Sequence, residues 1–136
     1  MGVAAERGGL AFEMASVTRF EDLKVWRKAR QLAFEIHRVS TDGKRAHDYA
    51  LVDQLRRATI SIASNIAEGF ERKRRANFAQ FLEYARGSCA EVRAQLYLAA
   101  DAGWLSREEL NRVMALAEEV GRMLGGLYST QRRPPK

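Results

Sequence analysis

Leu105-Ser106-Arg107-Glu108-Glu109-Leu110 opens the stretch that decides the fold, which continues through Val113, Met114, Ala117, Val120, Met123, Leu124 and Leu127. Ser106 and Glu109 stand three apart, the spacing of a capping box, in which each side chain satisfies an otherwise unpaired amide at the start of a helix. Leu105 and Leu110 flank that first turn and are placed to close over it as a hydrophobic staple. From there the apolar residues recur at steps of three and four, which puts them in one stripe along a long helix. Such a stripe must be covered, so the segment calls for partner helices. Gly121-Arg122-Met123-Leu124-Gly125 carries the small-residue spacing of packed membrane helices, but charges flank it throughout and a soluble helix is expected.

The same period recurs upstream. From about Ala76 to Ala102, Phe78, Leu82, Ala85, Cys89, Val92, Leu96 and Ala99 form a core row. Gly87 interrupts it, and since a helical glycine costs about 1 kcal/mol, it is read as the site of a close approach by a neighbouring helix. From about Tyr49, Leu51, Leu55, Ala58, Ile62 and Ile66 share a face that Val52, Thr59, Ala63, Ala67 and Phe70 widen, with Gly69 expected as the left-handed residue that ends the helix. From Asp22, read as an N-cap, to Ser40, the stripe is Trp26, Ala29, Leu32, Ala33, Ile36 and Val39. Thr41-Asp42-Gly43-Lys44 supplies a turn.

Four helices with short connections predict an all-α fold, an antiparallel up-down-up-down four-helix bundle spanning residues 19–129. Residues 1–18 are expected to be a disordered leader, with Met14 an alternative start to Met1, and residues 130–136 a disordered basic tail. The totals agree: 136 residues suit one core, 46% of them are hydrophobic, and two prolines are too few for a turn-rich β protein. No stretch resembles a signal peptide or a membrane span. The single Cys89 fits a reducing cytoplasm and, lying in a core row, is read as a structural thiol.

The formal charge of +6 and pI of 9.9 favour anionic partners. The predicted topology polarises that charge. It gathers Arg19, Lys24, Arg72, Lys73, Arg74, Arg75, Arg132, Arg133 and Lys136 at one end, whereas Asp42, Asp48, Asp101, Glu108 and Glu109 offset Lys44, Arg45 and Arg107 at the other. The run Arg72-Lys73-Arg74-Arg75, with Lys24, Arg132 and Arg133, is the candidate nucleic-acid surface; the alternative is a solvated loop. No helix-turn-helix, zinc-finger or RNA-recognition motif accompanies it, so RNA or DNA would be held by its backbone.

Along the second helix Arg57, Ser61, Asn65 and Glu68 follow four-, four- and three-residue steps and make a polar strip on an apolar helix. It is read as a hydrogen-bonded network fixing packing, with a recognition strip as the alternative. His37 and His47 lack ligand-spaced companions, so no metal is expected; no phosphate loop or nucleophile elbow is present, so no cofactor and no enzyme activity are expected. Trp26 and Trp104 are read as core or interface anchors.

Phe20-Glu21-Asp22-Leu23-Lys24-Val25-Trp26, Gln54-Leu55-Arg56-Arg57-Ala58 with Asn65-Ile66-Ala67-Glu68-Gly69, and Phe81-Leu82 with Ala85 and Gly87-Ser88 together resemble the 23S rRNA-intervening sequence protein family. Glu119 to Gly125 is similar to the last helix of the accessory variability determinant of diversity-generating retroelements, which looks related to that family. The resemblance implies a homopentamer of four-helix protomers without established enzyme activity. It also implies retroelement relatives that bind nucleic acid and a reverse transcriptase; the alternative function, to which the apolar girth of the second helix points, is a protein-interaction scaffold or accessory subunit, for example for a reverse transcriptase, without direct nucleic-acid binding. One departure stands out: Arg74, Arg75, Ala76 and Asn77 replace the serine-led cap and glutamate common before the phenylalanine of the third helix, making the connector more basic.

Overall fold

The computed structural model describes residues 16–41 and 49–132, and the expectations for Asp42, Gly43, Lys44, Arg45, His47, Asp48, Arg133 and Lys136 lie outside them. A 3-10 turn, Phe20–Asp22, leads into α1 (Lys24–Ser40), followed by α2 (Tyr49–Glu71), α3 (Arg75–Asp101) and α4 (Arg107–Arg132). The fold is all-α among the described residues, and the helices pack as a bundle in which each touches its neighbours in sequence and α1 also touches α4.

Cross-helix pairings give the directions. Ser61 meets Ser88 near mid-helix, while Gly69 meets Phe81 further up α2 and further down α3. Lys28 pairs with Glu119 and Glu35 with Arg112, the same crossing order between α1 and α4. Cys89 reaches Ala117 and Arg86 reaches Tyr128 between α3 and α4, and Arg56 reaches back to Ser40 between α1 and α2. These are the pairings of antiparallel neighbours, as short connections require.

The core follows the stripes. Ala29, Leu32 and Ile36 of α1, Leu55, Ile62 and Ile66 of α2, Leu82, Val92 and Leu96 of α3, and Val113, Val120 and Leu124 of α4 are fully buried. Burying a leucine or isoleucine side chain is worth about 1.5–3 kcal/mol, so these stripes are the main stabilising term. Trp104 and Leu105 are buried beneath the α3–α4 connection. Trp26 is only half-buried, edge-on to Phe20 at 5.0 Å.

The capping box at α4 forms in both directions: the Ser106 amide donates to Glu109 Oε1 at 3.0 Å, and the Glu109 amide donates to Ser106 Oγ at 3.1 Å. Three other end expectations change. Leu23, buried at 1% exposure, takes the N-cap position of α1 without a side-chain cap, because Asp22 belongs to the 3-10 turn and binds Arg27 instead. Gly69 does not end α2, which runs on to Glu71; the left-handed residue is Lys73, with φ of 61°. α4 runs to Arg132, so Thr130 to Arg132 are helical, in contrast to the disordered tail expected from residue 130.

Gly69 and Gly87 both differ from the roles expected of them. A Cβ on Gly69 would lie 2.5 Å from the Phe81 Cβ, so Gly69 is a site of close approach between α2 and α3, while a Cβ on Gly87 would meet nothing within 4 Å. Gly87 is exposed and makes no close approach.

Candidate functional site

Only the three residues Arg72, Lys73 and Arg74 separate α2 from α3. The turn is closed by the Arg72 amide donating to the Gly69 carbonyl at 3.3 Å and the Lys73 amide to the Phe70 carbonyl at 3.2 Å. Lys73 in the left-handed region reverses the chain, and Arg74, extended, becomes the N-cap of α3 with no side-chain cap. The absence of serine or threonine there leaves the first turn of α3 without the usual oxygen acceptor, beside a string of cations.

Four adjacent positive charges repel one another, and the structure relieves this by engaging the outer two. Arg72 pairs with Glu68 at 3.1 Å, and its guanidinium lies over the Phe81 ring at 5.2 Å. Arg75 donates to the carbonyl of Thr130 in the last turn of α4, where the helix dipole favours a cation. Lys73 and Arg74 are exposed and make no ion pair among the described residues.

That Arg75 hydrogen bond joins the connector to the C-terminal end of α4. Val17 and Thr18 join them from the segment preceding the 3-10 turn, and a pocket of about 360 Å³ forms where the three meet. Its cationic lining is Lys73, Arg74 and Arg75; its aromatic lining is Phe70 and Phe78, edge-on at 5.8 Å; Gln131 closes it from α4. The connector and the end of α4 therefore lie together, but the α4 residue that lines the pocket is the uncharged Gln131. Lys24 opens α1, Arg132 follows Gln131, and neither lines the pocket; Arg133 lies outside the described residues.

Sequence periodicity places Phe70 and Phe78 only in core rows, and it leaves Val17 and Thr18 in the leader. The signal that points to the pocket is an aromatic residue on each side of four consecutive cations, Phe70 before Arg72 and Phe78 after Arg75.

The polar strip divides. Ser61 Oγ and Ser88 Oγ share a hydrogen bond of 2.8 Å across the α2–α3 interface, and Asn65 Nδ2 donates to the Ser61 carbonyl at 2.8 Å and to Ser61 Oγ at 3.0 Å. This middle section is a packing network. Its ends are exposed pairs along α2, Arg57 with Asp53 at 2.8 Å and Glu68 with Arg72.

Two grooves on the flanks differ from the connector pocket. The one between α3 and α4, about 530 Å³, sets Arg86, Arg93 and Arg122 against Glu83 and Glu118; the one between α1 and α4 sets Lys28 and Arg112 against Glu35 and Glu119. Cys89 edges the first, but burial pushes its thiol pKa up despite the opposing influence of Arg93, and its Sγ donates to the Ala117 carbonyl at 3.2 Å. A thiol held protonated is a poor nucleophile. Among the described residues no cluster of three His, Cys, Asp or Glu could hold a metal ion, and no helix is long and apolar enough to cross a membrane.

A bundle of four antiparallel helices with a cationic connector at one end defines a small helical protein. The chain belongs to the 23S rRNA-intervening sequence protein family, whose model matches residues 21–126. The fold is similar to that of a protein of unknown function from the S23 ribosomal protein family of Bacteroides thetaiotaomicron, with a TM-score of 0.72 and 22% identity over 78% of this chain and 99% of that one. No curated protein matches the chain in sequence.

Proposed function

We propose that the chain is a non-enzymatic, cytoplasmic homo-oligomer, a pentamer as the family resemblance implies, that holds RNA or DNA through its basic end. The observation that carries the reading is the pairing pattern of the connector: Arg72 and Arg75 are tied into the bundle while Lys73 and Arg74 stand exposed between them, with no carboxylate among the described residues lining the pocket beside them. A cation pair on a rigid turn is suited to phosphates, which bind by charge and release counterions as they do so. Repetition of a modest patch around an oligomer would multiply its strength through effective concentration.

Oligonucleotide binding followed by fluorescence anisotropy across a salt series tests the reading. The slope of log affinity against log salt should be steep in the native chain. In Lys73→Gln/Arg74→Gln it should be shallower by roughly 1.4–1.8, because two fewer phosphates are neutralised. An unchanged slope, or no binding at low salt, would sink it.

A second reading, a protein-interaction scaffold such as an accessory subunit of a reverse transcriptase, is favoured by exposed apolar residues. Tyr84 and Leu98, 52% and 56% exposed, lie on one face of α3, and Ile60 of α2 is 59% exposed. The readings part at the oligonucleotide assay: a chain that binds no oligonucleotide at low salt, yet loses self-association by light scattering in Tyr84→Ser/Leu98→Ser, is a scaffold, whereas oligonucleotide binding by the native chain rules the scaffold reading out.

A further inference from the structure

The pocket at the connector has a composition that phosphate binding alone does not require. Phosphates need cations, yet this pocket backs its three cations with two phenyl rings, Phe70 half-buried and Phe78 4% exposed, and with the apolar side chain of Val17. Its hydrogen-bonding groups, the Thr18 hydroxyl and the Gln131 amide, come from two other segments. Gln131 donates through Nε2 to Thr130 Oγ1 at 3.3 Å, which leaves its carbonyl oxygen able to accept. A volume of about 360 Å³ falls in the roughly 300–1,000 Å³ range of pockets for small organic molecules.

We infer that this pocket receives one unpaired nucleotide, its base against Phe70 and Phe78 and its phosphate on Lys73 and Arg74, so that the basic end prefers single strands to duplex. The inference rests on the nucleic-acid reading and narrows it. In a duplex the bases are stacked and paired, and only phosphates and groove edges face the protein; the phenyl rings would then meet nothing they can use. An unpaired nucleotide presents a flat apolar face and an anion a short distance apart, the same pairing of features as the pocket. Aromatic stacking accepts any base because every base has a π-face, in keeping with the lack of a base-reading motif. The lack of carboxylates among the described lining residues matters equally. The flank grooves oppose an anion with Glu83 and Glu118 or with Glu35 and Glu119, whereas the connector pocket opposes it with none. The uncapped first turn of α3 adds amide groups at the rim beside Arg74.

The full chain should be titrated by anisotropy with a short 5′-phosphorylated oligothymidylate and with a blunt hairpin duplex of the same phosphate count. The single strand should bind about tenfold more tightly at equal salt. Phe70→Leu, which keeps apolar bulk but removes the ring, should erase that preference, bringing single-strand affinity down to that of the duplex. Phe70→Tyr should restore it, with thermal melts confirming that both variants fold. On the native chain alone, an oligonucleotide carrying one unpaired 2-aminopurine should lose fluorescence on binding as its base stacks. Equal affinity for both strands, with unchanged 2-aminopurine emission, overturns the pocket assignment while the phosphate-binding reading stands. No binding of either strand overturns both. A chain that binds neither strand but takes an aromatic, acidic peptide overturns them in favour of a protein partner.

Discussion

Gly69 and Phe81 are so closely apposed that a methyl group on Gly69 would lie 2.5 Å from the Phe81 Cβ and 3.1 Å from the Phe78 ring. The nearer of these neighbours is not the far end of a flexible chain, so α2 and α3 would have to separate. Gly69→Ala should therefore destabilise the protein by about 1–3 kcal/mol, the usual cost of overpacking. Gly87→Ala, with open space around it on an exposed helical face, should stabilise by about 0.5–1 kcal/mol through helix propensity. Urea denaturation of the two variants checks the pair, and equal signs would contradict the assignment of roles.

The Ser61–Ser88 hydrogen bond joins the same two helices near their middle. Ser61→Ala removes a partner from both Ser88 and Asn65 and should cost about 1–2 kcal/mol. Ser61→Ala/Ser88→Ala should cost less than the sum of the single changes, because the second substitution removes a group already orphaned by the first. A thermodynamic cycle built from denaturant midpoints reads this directly.

Lys73 sits at φ of 61°, where a side chain costs about 1–2 kcal/mol. Lys73→Gly should relieve that strain and raise the melting temperature, yet it removes an exposed cation and should weaken oligonucleotide binding. Stability and affinity moving in opposite directions would mark Lys73 as a residue retained for its charge.

The Cys89 thiol has its pKa raised by burial. Below about 8.5, the ordinary thiol value, both the folded and unfolded states hold the proton and stability is independent of this group. As pH rises past that value the unfolded chain releases the proton while the native chain keeps it, so stability should fall until the raised native value is passed. Reaction with a disulfide reagent should be slow at neutral pH and become fast on addition of denaturant. Fast labelling of the native protein would contradict the burial.

Ser106→Ala should lower stability by about 1 kcal/mol, since it removes the oxygen that caps the Glu109 amide and loosens the reciprocal arm of the α4 capping box. Thermal melts of Ser106→Ala and of Ser106→Asp, which retains a capping oxygen, would separate the cap from general surface effects.

What can be read from the chain is what local periodicity and local chemistry determine. The stripes from Ala29 to Ile36, Leu55 to Ile66, Leu82 to Leu96 and Val113 to Leu124 are buried because a helix of period 3.6 brings them to one side. Ser106 and Glu109 cap because both partners lie within one turn. The roles of Gly69 and Gly87 are misread from sequence because they depend on the neighbouring helix: at Gly69 it carries Phe81, and at Gly87 no neighbour comes near. Asp22 reads as a cap because it precedes the apolar stripe, but Leu23 gains more by burial and carries the chain one residue further before the helix begins. The cationic part of the candidate site is legible because charge needs no packing partner to be recognised. Its aromatic lining flanks those cations in the sequence but reads there only as core, and the part played by Val17 and Thr18 is hidden because it depends on distant segments converging.

The helices do not share the work of packing equally. α3 packs extensively against both α2 and α4, while α1 touches its neighbours more lightly. Two of the ties between α1 and α4, Lys28–Glu119 at 3.4 Å and Glu35–Arg112 at 3.4 Å, are part-exposed ion pairs, which contribute modestly. Three helices thus pack closely, and α1 is the most lightly held, although its Ala29, Leu32 and Ile36 are fully buried in the shared core. Amide hydrogen exchange should release α1 first and α3 last, with the inner turns of α2 and α4 released shortly before α3. Because Val17 and Thr18 lead into α1, opening that helix would draw them away from the connector pocket, so whatever binds there also holds α1 closed.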